Sequence, residues 1–178
     1  MELFDLYTKD REPTGKKMVR GDRVPEGLYR LVVHVCIFDQ EGRMLIQQRQ
    51  PFKHGWSNLW DITVGGSAVA GDTSRSAAER ETREEIGLDI DLSDARPALT
   101  LNWEHGFDDY YLLTRDVDPA SLNLQYEEVQ AVRWATQEEI LTMIDDGRFI
   151  PYEKGLIELL FFQRNHRGAH TRKDTTGA

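Results

Sequence analysis

A chain of 178 residues, 39% of them hydrophobic, is long enough for one domain with a sizeable core, and no apolar run approaches the roughly 18–20 residues of a membrane span. The formal net charge of −9 argues against long nucleic acid as the main partner and leaves surplus acid available for a metal. The lone Cys36, set in an apolar run, excludes an internal disulfide. The acidic start Met1–Tyr7 lacks the features of a signal peptide, and together these predict a reducing, cytoplasmic setting.

In chain order, Leu3, Asp5 and Tyr7 alternate with neighbours of opposite polarity, a turn runs from Lys9 to Gly15, and the pattern resumes at Lys16–Arg20. This predicts an N-terminal β-hairpin extension over residues 1–30. Leu31–Phe38 is apolar and rich in β-branched residues, Asp39–Gly42 is a turn, and Arg43–Arg49 follows, which predicts two paired strands, the first buried on both faces. After the loop Pro51–Trp60 come a short strand Asp61–Val64 and the pair Gly65–Gly66. Thr73–Ile86 reads as a helix, with Asp72 or Thr73 to cap it and Gly87 to end it.

Strands are expected at Leu99–Trp103 and Tyr110–Thr114 around a turn Glu104–Asp109, and again at Val129–Trp134. Thr136–Glu139 has the form of a capping box opening a helix to about Asp146, and a second helix runs from Tyr152 to about Asn165. The polar tail 166–178 is expected to be disordered, which leaves residues 31–165 as the main domain. Strands interleaved with three helices predict an α/β sandwich around a mixed sheet.

The segment around the first helix carries chemistry. Glu81, Glu84 and Glu85 stand at i, i+3 and i+4 and project from one helical face. Such a set repels itself unless a cation is present, and hard divalent ions such as Mg²⁺ are shared between carboxylates and substrate phosphates. Arg80 can hold the carboxylates, and Gly65–Gly66 lets a backbone carbonyl come close. A bare Arg-Glu-x-x-Glu-Glu is ordinarily a solvated helix face; here the glycine pair, the spacing and the glycine stop set it apart.

From Gly66 to Leu88 the spacing resembles the Nudix box, Gly-x5-Glu-x7-Arg-Glu-U-x-Glu-Glu-x-Gly-U, with U bulky and aliphatic. The resemblance implies an α/β/α Nudix sandwich, Mg²⁺ or Mn²⁺ dependence, and hydrolysis of a small-molecule nucleoside diphosphate compound. By position it implies Glu81, Glu84, Glu85 and the Gly65 carbonyl as metal ligands, Glu81 also as a base, and Arg80 as their orienting partner. Two positions depart: Asp72 stands where the family has its first glutamate, and Thr82 at an aliphatic position. They are the support for a rival reading, a non-catalytic binding or regulatory module of the same fold. The layout of Gln47–Arg49, Lys53, Trp60 and Gly71–Asp72 is also similar to isopentenyl-diphosphate isomerase. That activity needs a cysteine and a histidine where this chain has Gly65 and Ser67.

Members of the family bring one more acid from outside the box, and Glu104, Asp108, Asp109, Glu127 and Glu128 are available, with Asp109 and Glu128 preferred as further metal ligands. Arg49, Lys53 and His54 form a basic cluster; Arg49 and Lys53 are candidates to hold a distal phosphate, unless they merely solubilise the loop. His105 can move protons or simply face solvent. Trp56, Trp60, Trp103 and Phe107 can stack a base or serve the core. Phe161–Phe162 belong to a packed helix face or a dimer surface, and the hairpin offers a second way to a homodimer.

Overall fold

The computed structural model describes residues 2–166 and 168–170. Its centre is β3 (Arg30–Phe38), which runs parallel to β8 (Gly106–Thr114) and antiparallel to β6 (Val64–Ser67). β4 (Met44–Arg49) meets β3 only at Phe38↔Met44 and then turns away to pair with β5 (Trp60–Asp61) and β9 (Val129–Ala135). β7 (Leu99–Trp103) closes the other edge against β8. The sheet is therefore mixed, and it splits between β3 and β4.

Residues 60–67 fill the split. The Thr63 hydroxyl donates to the Leu45 carbonyl on one side and accepts from Ile37 N at 3.0 Å on the other, so one buried side chain bridges the two diverging strands. The continuous strand expected over Asp61–Val64 is thus two pieces, β5 and β6, and the glycine pair lies inside β6. A connection that must cross from β4 to β3 cannot pair with one partner throughout.

Alternation along the strands sorts the core into two layers. Val33, Val35, Ile37, Leu45 and Val64 face α1 (Ser74–Ile86), where Ala77, Ala78 and Ile86 meet them. Cys36, Phe38, Met44 and Ile46 face α2 (Gln137–Asp145) and α3 (Lys154–Gln163), against Ile140, Met143, Ile157, Leu160 and Phe161. Helices cover both faces, giving the expected sandwich. β3 is buried on both faces only in its second half. Arg30, Val32 and His34 are half-buried, because the core formed with α2 and α3 begins at Cys36.

The N-terminal hairpin is present as β1 (Leu3–Tyr7) and β2 (Pro13–Val19), with Phe4, Leu6, Met18 and Val24 in a small cluster of their own. It docks on its own chain: Ala70 N donates to the Leu3 carbonyl and Gly71 N to Asp5 Oδ2, each at 2.7 Å. The turn between β7 and β8 is shorter than expected. β8 begins at Gly106, so Asp108 and Asp109 are strand residues on opposite faces rather than turn residues. Of the tail, residues 167 and 171–178 lie outside the described residues; Gly168 N donates to Gln163 Oε1 at 3.2 Å.

Candidate functional site

α1 is built for its position. Thr73, rather than Asp72, caps it through a reciprocal pair with Ser76, and Gly87 closes it in the left-handed region at φ 68°. Thr82 is fully buried, with its hydroxyl on the Ala78 carbonyl at 2.7 Å and its methyl left for packing. With that face fixed inward, Arg80, Glu81 and Glu84 lie off it, while Glu85 is itself among its buried residues.

Arg80 is the hub of the site. Its Nη1 donates to Glu81 Oε1 and to Glu84 Oε2, both at 3.0 Å, while Nη2 donates to Asp72 Oδ2 at 2.8 Å and to the Ser67 carbonyl at 3.2 Å. Burial disfavours the charge, but Asp72 and Glu81 outweigh it and hold the guanidinium protonated. Asp72 also accepts from Val69 N and the Ser76 hydroxyl, so it ties the loop before α1 to Arg80. Gly66 has no room for a side chain: a Cβ there would fall on the Glu81 carboxylate.

Glu85 turns inward. It is 5% exposed and accepts from Gln47 Nε2 at 2.9 Å. Burial pushes its pKa up to about 8, Gln47 opposes this, and Glu81, Glu128 and Asp61 add repulsion. Burial likewise raises Glu81, against the pull of Arg80. Glu85 is therefore the point at which three other carboxylates are felt. Among the described residues, no three Asp, Glu, His or Cys side chains converge into a ready-made metal cage. The box glutamates are consequently not the tight cluster that their spacing predicts. Like charges separate towards the nearest donors, Glu81 and Glu84 onto Arg80 and Glu85 onto Gln47.

The two acids preferred outside the box part company. Glu128 faces Glu85 electrostatically, and Gln125 N donates to the Glu85 carbonyl at 2.9 Å, which pins this segment to α1. Lys53 Nζ donates to Glu128 at 2.6 Å, so the lysine sits beside the carboxylates but already has a partner. Asp109 lies elsewhere. Its buried carboxylate accepts from Arg11 at 2.9 and 2.7 Å, from Ser74 at 2.6 Å and from Thr100 at 2.6 Å. Ser74 opens α1, so at 1.5 Å per residue Asp109 is on the order of 10–16 Å along the helix from Glu81–Glu85. Burial would raise its pKa, but these donors hold it below the usual carboxylate range. Asp109, expected as a metal ligand, thus lies apart from the box glutamates and latches the N-terminal hairpin.

A sequence model of the NUDIX domain matches residues 28–154, and an uncharacterized Nudix hydrolase of Listeria innocua is 49% identical over 152 residues, covering 85% of this chain and 90% of the relative. The chain belongs to the Nudix hydrolase family. The crystal structure of DR0079 from Deinococcus radiodurans superposes with a TM-score of 0.71 at 26% identity, covering 89% of this chain and 97% of that one. An isopentenyl-diphosphate Delta-isomerase of Streptomyces avermitilis is 32% identical over 90 residues, covering 51% of this chain and 46% of the isomerase.

Within the Nudix frame, Asp72 keeps a function on its shorter arm, since it reaches Arg80. Gly65 pairs with His34 across β3 and β6, next to Gly66 and the Glu81 carboxylate. Cys36 is fully buried on β3 with its thiol pushed up by burial, and does not stand in for the cysteine that an isomerase needs at Gly65. Arg49 donates through Nε to the Gly55 carbonyl at 3.1 Å. Trp60 packs against the α2–α3 core, Phe107 is buried, and Trp56 is 54% exposed. His105 is part-exposed at the β7–β8 turn. Among the described residues no helix is long and apolar enough to cross a membrane.

Two residues beside the acids were given no role at the site by the sequence reading. Asp61 is buried, accepts from Ile62 N and Tyr152 Oη at 2.7 and 2.8 Å, and is raised in pKa by burial. Gln47 is the donor to Glu85. The available signal for both was a polar residue on an otherwise buried strand next to the glycine segment.

Proposed function

We propose that this Nudix hydrolase cleaves the diphosphate linkage of a nucleoside diphosphate-type substrate with the help of Mg²⁺ or Mn²⁺. The observation that supports it is the buried Glu85, which feels the charges of Glu81, Glu128 and Asp61, with burial holding both Glu85 and Glu81 above their ordinary pKa values. A divalent cation relieves that repulsion, and oxygen donors are what such ions take. The residues therefore fit the metal that the family generally uses.

Glu81, Glu84, Glu85 and the Gly65 carbonyl would hold it, with Glu128 as the acid from outside the box. When bound, it neutralises phosphate oxygens and lowers the pKa of a water. Arg80 orients Glu81 and Glu84 while its bonds to Asp72 and the Ser67 carbonyl keep the glycine strand and α1 in register. Gly66 leaves the Glu81 carboxylate free to take a proton from water at the strand edge. Lys53 and Arg49 supply positive charge for the distal phosphate, Arg49 through its terminal nitrogens, its Nε being bonded to Gly55.

The test is release of phosphate or nucleotide from a panel of nucleoside diphosphate compounds with Mg²⁺ or Mn²⁺, in wild type and Glu85→Gln. Turnover by wild type alone is the expected result. Release from no compound by wild type would overturn the hydrolytic reading in favour of a binding module.

A further inference from the structure

The hairpin and the main sheet leave a cavity of ≈ 510 Å³ between them, within the range of small-molecule sites. β3 contributes Arg30 to its wall, β6 Ser67 and β7 Trp103, and the segment that follows β2 contributes Arg20 and Arg23. Asp22 is the one acid in this lining, against three arginines, in a chain whose net charge is −9. Ser67 also ties the cavity to the box, since its carbonyl accepts from Arg80 Nη2 at 3.2 Å.

Arg30 is half-buried in this wall and lacks a counter-ion. Its Nη1 donates to the neutral Ser67 hydroxyl at 2.9 Å, and among the described residues no carboxylate forms an ion pair with it. The guanidinium carbon lies 5.3 Å from the Trp103 ring centroid and 5.9 Å from that of Phe4, which packs it against two rings and leaves its charge unneutralised. Trp103 fits there because Gly106 has no side chain: a Cβ would meet the indole at 2.7 and 2.9 Å. Asp108, the acid whose field Arg30 feels, is engaged elsewhere. Its Oδ1 accepts from Trp103 Nε1 at 2.8 Å, and its Oδ2 lies 3.6 Å from His34 Nε2. Burial lowers the Arg30 pKa, Asp108 opposes this, and Arg20 adds repulsion. Arg20 has Glu2 at 2.7 Å, whereas Arg23 is exposed and makes no hydrogen bond or ion pair among the described residues. A half-buried guanidinium without an anion is costly, and a pair of phosphoryl oxygens matches its planar fork of donors.

We propose that this cavity binds a phosphoryl group, gripped by the guanidinium groups of Arg30 and Arg23 beside Trp103. The site goes beyond the proposed hydrolysis and does not depend on it. A neighbouring cavity of ≈ 840 Å³ shares Arg23, Val24 and His105 with this one, so the rest of a phosphorylated small molecule has room to extend. The phosphoryl group has two possible sources with the same chemistry. It is carried by the substrate itself, reaching past Ser67 from the box, or by a separate phosphorylated effector.

The test is calorimetric titration with inorganic phosphate, in EDTA and at constant ionic strength, of wild type, Arg30→Met and Arg23→Ala. Saturable binding by wild type is the expected result, and removing either arginine should weaken it about tenfold, the size of one charge-assisted hydrogen bond. Methionine keeps the packing against the rings. Arg23 is exposed and unpaired, so its removal tests the site even if Arg30→Met fails to fold. Two results would overturn the inference: no saturable binding by wild type, or binding unchanged in the variants, as it would be if phosphate sat at Lys53. Turnover of the best substrate of the panel with Mg²⁺ then separates the two sources. If phosphate raises KM at constant kcat in wild type, and does so less in Arg23→Ala, the phosphoryl group belongs to the substrate. If it changes kcat with KM fixed, the group belongs to an effector. Binding in EDTA is read without turnover, so a failure of the hydrolytic reading leaves this test standing.

Discussion

Gly66 lies against the Glu81 carboxylate so closely that a single added methyl would occupy the space of that side chain. The relationship links a strand that crosses the sheet to the helix that carries the acids. Gly66→Ala is expected to displace Glu81 from Arg80 rather than unfold the chain, because a glutamate can swing outward. The stability loss should be about 1–2 kcal/mol and the loss in kcat at least about tenfold, the size of effect that follows when a group holding a metal-binding side chain in place is lost. Thermal melts together with kcat on the best substrate of the panel check both; full activity would show that Glu81 needs no fixed position.

Arg80 bonds Asp72, Glu81, Glu84 and the Ser67 carbonyl at once. Lysine keeps the charge but lacks the planar fork that reaches several acceptors together. Arg80→Lys should therefore lower kcat by roughly 10- to 100-fold while the melting temperature changes little. A variant as fast as wild type would leave Arg80 with a purely structural role.

Glu85 gives a pH signature in the metal-free protein. Its pKa rises from an ordinary 4.5 to about 8 through burial, so between those values the folded chain holds a proton that the unfolded chain has released. Raising the pH across that window favours unfolding, by at most about 1.4 kcal/mol per pH unit, and the loss is complete above pH 8. Denaturant titrations in EDTA should show this decline in wild type and a flatter profile in Glu85→Gln. Parallel profiles would mean that Glu85 titrates normally.

The Arg11–Asp109 pair holds the hairpin to β8, with the Arg11 side chain 39% exposed and Asp109 fully buried. Arg11→Met leaves a buried carboxylate with only Ser74 and Thr100 as donors. Discounted for the exposure of the arginine, the cost should be about 2 kcal/mol. Asp109 is depressed in the folded state, so its stabilisation is present above the ordinary carboxylate range and is lost as the pH falls through the folded value. Adding Asp109→Asn to Arg11→Met should recover part of the loss. A double variant as unstable as the sum of the singles would show the two to be uncoupled.

The box helix was legible in the sequence because its signals are local. Capping at Thr73, the stop at Gly87 and the i, i+3, i+4 spacing of Glu81, Glu84 and Glu85 depend only on residues within one helix, and the hairpin and the mixed sandwich followed from period and turn signals, whereas the expected pairing of β3 with β4 is reduced to Phe38↔Met44. Which way the three glutamates turn was not legible, since Arg80 and Gln47 compete for them and Gln47 comes from another strand.

The tertiary structure alone decided which distant acid lies beside Glu85. Asp109 and Glu128 were equivalent as letters near the start of a strand. β8 begins earlier than its sequence suggests, and in a strand each step along the chain reverses the face. Asp108 therefore points to His34 and Asp109 to Arg11, while the Gln125 contact on α1 brings Glu128 to the carboxylates. Asp61 and His34 were hidden for the same reason: each is one polar residue in a strand, and only strand pairing sets His34 opposite Gly65 and Asp61 opposite Gln47.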